Sequence, residues 1–310
     1  MPASGLRRQA GELERDFSVF DTVDLIVPVT ELRLSGIQTV TLSVMESREI
    51  SLEAVKDVAV RAGDAVLEVY RRQAAWIRRK ADGSPVTEAD IASEQVIRPG
   101  LDSLDPSIPY LSEESTLLSY ASRREWQRFW LVDPLDGTKE FIKRTDEFTV
   151  NIALIENGEP VLGVIVAPAV GSIYYASKYE GAWKDHTIAE RKRLHSQLAD
   201  ADEPLRVVES VSHPSPELEQ FLDGFEVANR LKIGSSLKFC LLAEGVADVY
   251  PRLGPTMEWD VAAGDCIYRY SGPSGSPHPS PLTYNKESLC NDWFVLGLMP
   301  GGYRLPRSVV

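Results

Sequence analysis

The sequence predicts a mixed fold in two parts, α+β to about residue 190 and α/β beyond it. Two observations carry that prediction. Apolar runs at 148–155, 161–167 and 172–176 follow one another closely, and Asn157-Gly158 joins the first two as a hairpin turn, so this part reads as an antiparallel meander. From about residue 205 the strand-like runs are instead separated by helix-length segments, which is the rhythm of an α/β arrangement.

Taken in order, residues 1–44 match nothing downstream, mixing charges with β-branched stretches at 22–30 and 38–44 and showing no clear period. The change of character at Met45 reads as the natural start, with 1–44 an upstream extension; an arm that adds a strand or contacts a partner is the alternative. Ser51 is placed to cap a long amphipathic helix, because Leu52, Val55, Val58, Ala59, Ala62, Val66, Val69 and Tyr70 recur at helical spacing. After a polar turn, Lys80-Ala-Asp-Gly-Ser-Pro85, the pair Thr87 and Asp90 resembles a capped helix entry, and Ala89, Ala92, Val96 and Ile97 continue one face. Short apolar runs at 108–111 and 129–132 are each followed at once by acidic residues. The charged stretch 186–204 reads as a connector. Beyond it the expected elements are strand 205–211, helix 216–225, strand 227–233, helix 235–244, strand 247–249, a helix from Glu258 and strand 293–298. Four prolines, two glycines and four serines make 271–281 a loop. The expected organisation is therefore an extension (1–44), a meander half (45–190) and an α/β half (191–310).

Composition narrows the function. Of 310 residues, 43% are hydrophobic and 25% charged, which is ordinary for a folded globular chain. Lys and Arg number 33 against 46 Asp and Glu, a formal charge of −13 that disfavours coating nucleic acid or an anionic membrane. An anionic substrate is still compatible, since a bound cation reverses the local field. Cys240, Cys266 and Cys290 form no CxxC pair and read as reduced thiols. Neither a membrane-spanning run nor a signal-type apolar region is seen. A cytoplasmic location is expected, with peripheral attachment to the inner membrane as the alternative.

The chemistry concentrates at Trp130-Leu-Val-Asp133-Pro-Leu-Asp136-Gly137-Thr138-Lys139, where a strand delivers two carboxylates into a Pro- and Gly-bent turn. Two carboxylates at a strand end repel each other unless something positive sits between them, and oxygen-only ligands favour a hard cation such as Mg²⁺. The amides of Gly137 and Thr138 can face a phosphate. The competing reading is an Asp-rich turn that caps its own backbone. The spacing Asp-x-x-Asp-Gly-Thr departs by one residue from the haloacid-dehalogenase motif, and no GxxxxGK[ST] loop is present. Glu113-Glu114, after a predicted strand, and Asp260, at a predicted helix start, add two more acidic clusters at element ends.

Val86-Thr87-Glu88-Ala89-Asp90, Glu113-Glu114, Asp133-Pro-Leu-Asp136-Gly-Thr138 and Trp259-Asp260-Val-Ala-Ala-Gly264 together resemble the inositol monophosphatase superfamily of Mg²⁺-dependent, Li⁺-sensitive phosphatases. The likeness runs in family order from about Met45 to near Pro300. Asp136-Gly-Thr-Lys139-Glu140-Phe141-Ile142, Gly234-Ser235-Ser236-Leu-Lys238-Phe-Cys240 and Tyr250-Pro-Arg252-Leu-Gly-Pro255 are similar to the bacterial 3′(2′),5′-bisphosphate nucleotidases of the CysQ type. Those enzymes release the 3′-phosphate of adenosine 3′,5′-bisphosphate and clear a by-product of sulfate assimilation.

The resemblance implies a layered αβαβα fold and a site with assigned roles. Glu113, Asp133 and the Leu135 carbonyl would hold one Mg²⁺, and Asp133, Asp136 and Asp260 a second, with a third weakly held near Glu113. Asp90 and Thr138 would orient the attacking water, Asp90 accepting its proton. Gly137 and Thr138 would receive the phosphate being cleaved, and Asp260 would also border the substrate. Lys238, Arg252 and Ser235 would hold the second phosphate, Arg being suited to bidentate contact. His213 is placed near the nucleotide, and Lys139 is either a substrate contact or a solvated side chain. The partner implied is a small nucleotide bisphosphate, with no nucleic acid, in a monomer or homodimer. Asp265-Cys266-Ile-Tyr-Arg-Tyr-Ser271 and the loop after it depart from the family, where the helix leads to a Gly-Gly strand. An inositol or sugar monophosphatase with the same metals, or a non-catalytic nucleotide-binding regulator, are the competing readings.

Overall fold

The computed structural model describes residues 49–303 except 73–75, 81, 82, 84, 117, 187, 188, 213, 214, 274, 275 and 302. The 1–44 extension, Met45 and His213 lie outside the described residues. Helix α1 (Leu52–Arg71) begins where Ser51 accepts the Ala54 amide, and it buries the stripe from Leu52 to Tyr70 that its spacing predicts. A hairpin, β1 (Ile77–Arg79) and β2 (Pro85–Thr87), leads into α2 (Glu88–Leu104). The α2 entry is a reciprocal cap, with Thr87 Oγ1 accepting the Ala89 amide while Asp90 accepts the Thr87 amide at 2.8 Å.

A seven-stranded sheet follows. Its strands are β3 (Tyr110–Ser112), β4 (Arg128–Asp136), β5 (Thr149–Glu156), β6 (Glu159–Ala167), β7 (Ser172–Ser177), β8 (Gly181–His186) and β9 (Ala189–Arg193), neighbours in that order. Only β3 and β4 run parallel. Short helices α3 (Tyr120–Arg123) and α4 (Thr138–Lys143) flank β4. Asn157 and Gly158, both at positive φ (52° and 80°), make the expected turn between β5 and β6.

Both sheet faces are buried, which is why the central strands read as continuous apolar runs rather than alternating ones. Trp130, Val132, Ile152 and Val164 meet α1 and α2, whereas Phe129, Leu131, Ile155 and Ile165 meet a second helical layer. The remaining elements are β10 (Leu205–Ser210), α5 (Glu217–Leu222), β11 (Val227–Ile233), α6 (Leu237–Ala243), β12 (Tyr250–Arg252), α7 (Glu258–Tyr270) and β13 (Phe294–Leu296). Helices α6 and α7 form that second layer. Beyond them lie the parallel pair β10–β11 and the antiparallel pair β12–β13, linked by bridges such as Val207 to Val249. Leu218, Phe221 and Leu222 of α5 close the far side over Leu205, Val207 and Val295. The layering is helix, sheet, helix, sheet, helix, as the resemblance implies.

Three local expectations are corrected. The stretch 186–204 is not all connector, since β9 adds a seventh strand; its polar sequence is that of a sheet edge guarded by charge, with Arg191 and Arg193 over the Trp183 ring at 4.8 and 5.5 Å. The strand expected at 247–249 starts instead at Tyr250, and Val249 makes only an isolated bridge. The atypical Asp265 segment stays helical because buried Asp265 accepts from Arg269 Nε at 3.0 Å and from the Tyr284 hydroxyl at 2.9 Å.

Gly264, on α7, lets α6 approach closely: a Cβ there would lie 2.5 Å from Cγ of buried Phe239. Gly264→Ala should therefore destabilise the fold by about 3 kcal/mol, against the gain of up to about 1 kcal/mol that Ala brings in a helix. A melting temperature equal to wild type would contradict this packing.

Candidate active site

The site forms where β4 breaks its register. Asp133 pairs with Asn151 but Asp136 pairs with Thr149, so three steps on β4 match two on β5. Carboxylates three residues apart on a regular strand would point to opposite faces. The extra residue puts Asp136 on the same face as Asp133, while Leu135 turns its side chain into the α1–α2 core. Gly137 then takes φ 87°, a left-handed conformation that favours glycine, and α4 starts at Thr138.

Two other elements bring acids to the same place. Glu113 follows β3, whose end is fixed by Glu94 of α2, since the hydroxyls of Tyr110 and Ser112 donate to its carboxylate at 2.8 and 2.9 Å. Asp260 sits in the first turn of α7 and accepts the Met257 amide at 2.8 Å. Ligand oxygens of Glu113, Asp133 and Asp260 all lie within 4.8 Å of one another. Three sequence-distant carboxylates thus converge.

Their proton affinities report the crowding. Asp133 is 1% exposed, and its carboxyl is pushed well above the usual range by burial, then by the charges of Glu113, Asp136, Asp260 and Asp90. Enclosure, with smaller contributions from neighbouring acids, raises Asp136 to about 6 and Asp260 to about 8, although nearby Lys238 and the Ser236 amide favour ionised Asp136. Asp90 rises to about 7, again mainly through burial, against the opposing Thr87 hydrogen bonds. This donor set, all oxygen and strongly anionic, fits a hard divalent cation.

A cavity of about 580 Å³ opens over these groups, and Glu113, Asp133, Leu135, Asp136, Gly137, Thr138, Glu140, Ser235, Lys238, Arg252 and Asp260 are among the residues that line it. The Thr138 hydroxyl donates to the Leu135 carbonyl at 3.3 Å. Lys238, 6% exposed, donates to the carbonyls of Ser235 and Ile233, and burial lowers it to about 8. Arg252 gives one guanidinium N–H to the Pro255 carbonyl at 2.8 Å, while its buried Nε and the Ser235 hydroxyl have no partner among the described residues. Unpaired buried donors of this kind call for an anionic ligand. Lys139 is exposed at the rim. Asp90 does not line the cavity; it lies beneath the wall with its carboxylate turned to Thr87.

Sequence reasoning missed Lys80, whose ammonium reaches Glu113 at 2.7 Å and Glu114 at 2.6 Å across the hairpin turn. Only tertiary contact reveals that. It also left Glu94 and Glu140 without roles.

A five-layered α/β fold with an acidic cleft at the end of its main sheet defines a class of proteins that hold divalent cations against an anionic ligand. The chain belongs to the inositol monophosphatase family, whose model matches residues 48–288. It is 54% identical over 217 residues to a protein of Salmonella typhimurium named 3′(2′),5′-bisphosphate nucleotidase CysQ, covering 70% of this chain and 86% of that one. Its identity to the protein of the same name from Escherichia coli strain K12 is 48% over 250 residues, or 80% and 99% of the two chains. The crystal structure of CysQ from Bacteroides thetaiotaomicron superposes with a TM-score of 0.64 at 41% identity, covering 79% of this chain and 95% of that one. Among the described residues no helix is long and apolar enough to cross a membrane.

Proposed function

We propose that the protein is a Mg²⁺-dependent 3′(2′),5′-bisphosphate nucleotidase that converts adenosine 3′,5′-bisphosphate to AMP and phosphate. The observation that carries this is the pairing, in one cavity, of an acidic cluster with two buried cations, Lys238 and Arg252. A monophosphate substrate needs only the first; a bisphosphate needs both. The relatives named as nucleotidases, 48–54% identical, support the same reading.

Glu113, Asp133, the Leu135 carbonyl, Asp136 and Asp260 would hold two Mg²⁺, with a third near Glu113. Bound there, the metal lowers the pKa of water and neutralises phosphoryl oxygens. The chain supplies the rest. Gly137 and Thr138 present amides to the 3′-phosphate at the start of α4. Thr138 and Asp90 would orient the attacking water, and Asp90, its carboxyl raised by burial to about 7, would accept that water's proton once it turns from Thr87 toward the cavity. Water oxygen bonds to phosphorus as the bond to O3′ breaks, and O3′ takes up a proton. Lys238, Arg252 and Ser235 would hold the 5′-phosphate, and His213 would border the nucleoside. A monomer or homodimer working in the cytoplasm, or peripherally at the inner membrane, is compatible with this role.

The test is phosphate release from adenosine 3′,5′-bisphosphate and inositol 1-phosphate with Mg²⁺ present, Mg²⁺ withheld, and Li⁺ added. Preference for the bisphosphate, loss without Mg²⁺ and inhibition by Li⁺ are expected. Strong preference for inositol phosphate would turn the assignment to a sugar monophosphatase, and binding without turnover would turn it to a regulator.

A further inference from the structure

One of the second phosphate's two cations, Lys238, stands in the first turn of α6, just after a tight turn. Gly234 and Ser235 precede α6, Ser235 sits at φ 47°, and Lys238 holds the turn by donating to its carbonyls. The other half of the chain fixes this turn, through Thr149 and Asn151 of β5, which bond the Ser236 hydroxyl, and through two carboxylates just after the metal motif. Glu147 Oε2 accepts the Gly234 amide at 2.8 Å. Glu140, 4% exposed on α4, accepts the Ser212 hydroxyl and crowds Gly234 so closely that a Cβ there would lie 2.7 Å from Glu140 Cγ. Ser212 belongs to the segment after β10, whose last residue, Ser210, lines the cavity.

Glu140 therefore touches two segments next to Lys238 and Ser235, the Ser212 segment by hydrogen bond and the Gly234 turn by packing. It also lies within electrostatic reach of Lys238, favouring the charged ammonium against its burial. No catalytic contact explains a buried carboxylate here, because the cation cluster is built from Glu113, Asp133 and Asp260.

We propose that Glu140 is a specificity-determining positioning residue, which locks the Ser212 segment and the Gly234–Lys238 turn onto α4 and so sets the place of Lys238, one of the two cations that select a bisphosphate. The inference rests on the nucleotidase reading above. Glu140 borders the cavity, and the role assigned to it here is exerted through Lys238 and Ser212. An enzyme lacking it would keep a site for the cleaved phosphate but lose the preference for a second one.

Steady-state kinetics of wild type, Glu140→Ala, Glu140→Gln and Ser212→Ala on adenosine 3′,5′-bisphosphate and adenosine 3′-monophosphate test this. The number read is the ratio of kcat/KM between the two substrates. Glu140→Ala should lower that ratio about tenfold or more, mainly through KM for the bisphosphate, as expected for losing a charge-assisted hydrogen bond. Glu140→Gln, which still accepts the Ser212 hydroxyl, should recover part of it, and Ser212→Ala should move the ratio the same way as Glu140→Ala. Equal losses on both substrates, or an unchanged ratio, would overturn the inference while leaving the nucleotidase reading intact. A wild type with no preference for the bisphosphate would overturn both. Because both substrates are measured on one preparation, partial unfolding scales both rates by the same factor, and the ratio read is that of the folded variant.

Discussion

Asp133→Asn should lower turnover about a thousandfold or more, while the metal-stripped variant melts no lower than metal-stripped wild type. The two effects have one cause. Asp133 is buried where Glu113, Asp136, Asp260 and Asp90 all act on it, so its charge is favourable only when a cation answers it. The amide keeps the side chain's size and its acceptor oxygen toward the Leu135 amide, now at 3.0 Å from Oδ1. Losing about 4 kcal/mol of transition-state stabilisation corresponds to about three decades in rate. The pH dependence follows with a definite sign. Asp90, Asp136 and Asp260 have folded-state values of about 7, 6 and 8, above those of the unfolded chain. The folded protein thus binds protons more tightly, and metal-stripped wild type should lose stability as pH rises from about 4 through 8. Mg²⁺ should reverse that loss, and Asp133→Asn should flatten it. Near-normal turnover in the variant, or a metal-stripped wild type that gains stability over that pH range, would contradict the site.

Arg252→Ala should raise KM for adenosine 3′,5′-bisphosphate about a hundredfold with a much smaller effect on adenosine 3′-monophosphate. Arg252 is 9% exposed, and its Nε has no partner among the described residues, so a ligand phosphate gains a donor that is already desolvated. Charge-assisted hydrogen bonds of this kind contribute about 1.5–3 kcal/mol each. Lys238 beside it titrates near 8, lowered by burial and by Arg252 although Asp136, Glu140 and Glu147 oppose the shift. As pH rises through 8 the free enzyme loses the Lys238 charge, and the bisphosphate-to-monophosphate ratio of kcat/KM should fall. Using the ratio cancels titrations that act on both substrates alike. A pH-independent ratio, or an Arg252→Ala variant with equal losses on the two substrates, would remove these residues from the second-phosphate site.

Much of this was open to a reader of the chain. The Leu52–Tyr70 stripe, the Thr87–Asp90 cap and the Asn157-Gly158 turn are local devices, in which neighbours a few residues apart settle the conformation. β9 was hidden because an edge strand carries charge rather than an apolar pattern. Lys80 and Glu140 were hidden for another reason: their partners, Glu113 and Ser212, lie far away in the chain and nothing in either segment advertises the other.

The amino-acid order alone determined the helices, the meander and the identity of the acidic and basic groups, since periodicity, caps and residue chemistry act over short distances. Tertiary structure decided what those groups do together. The slip at Pro134 and Leu135 that turns Asp133 and Asp136 to one face depends on pairing with β5, and the approach of Asp260 and Glu113 depends on where α7 and β3 pack. A carboxylate's charge is written in its residue type, but whether that charge is tolerable is set by the neighbours that folding brings within a few ångströms.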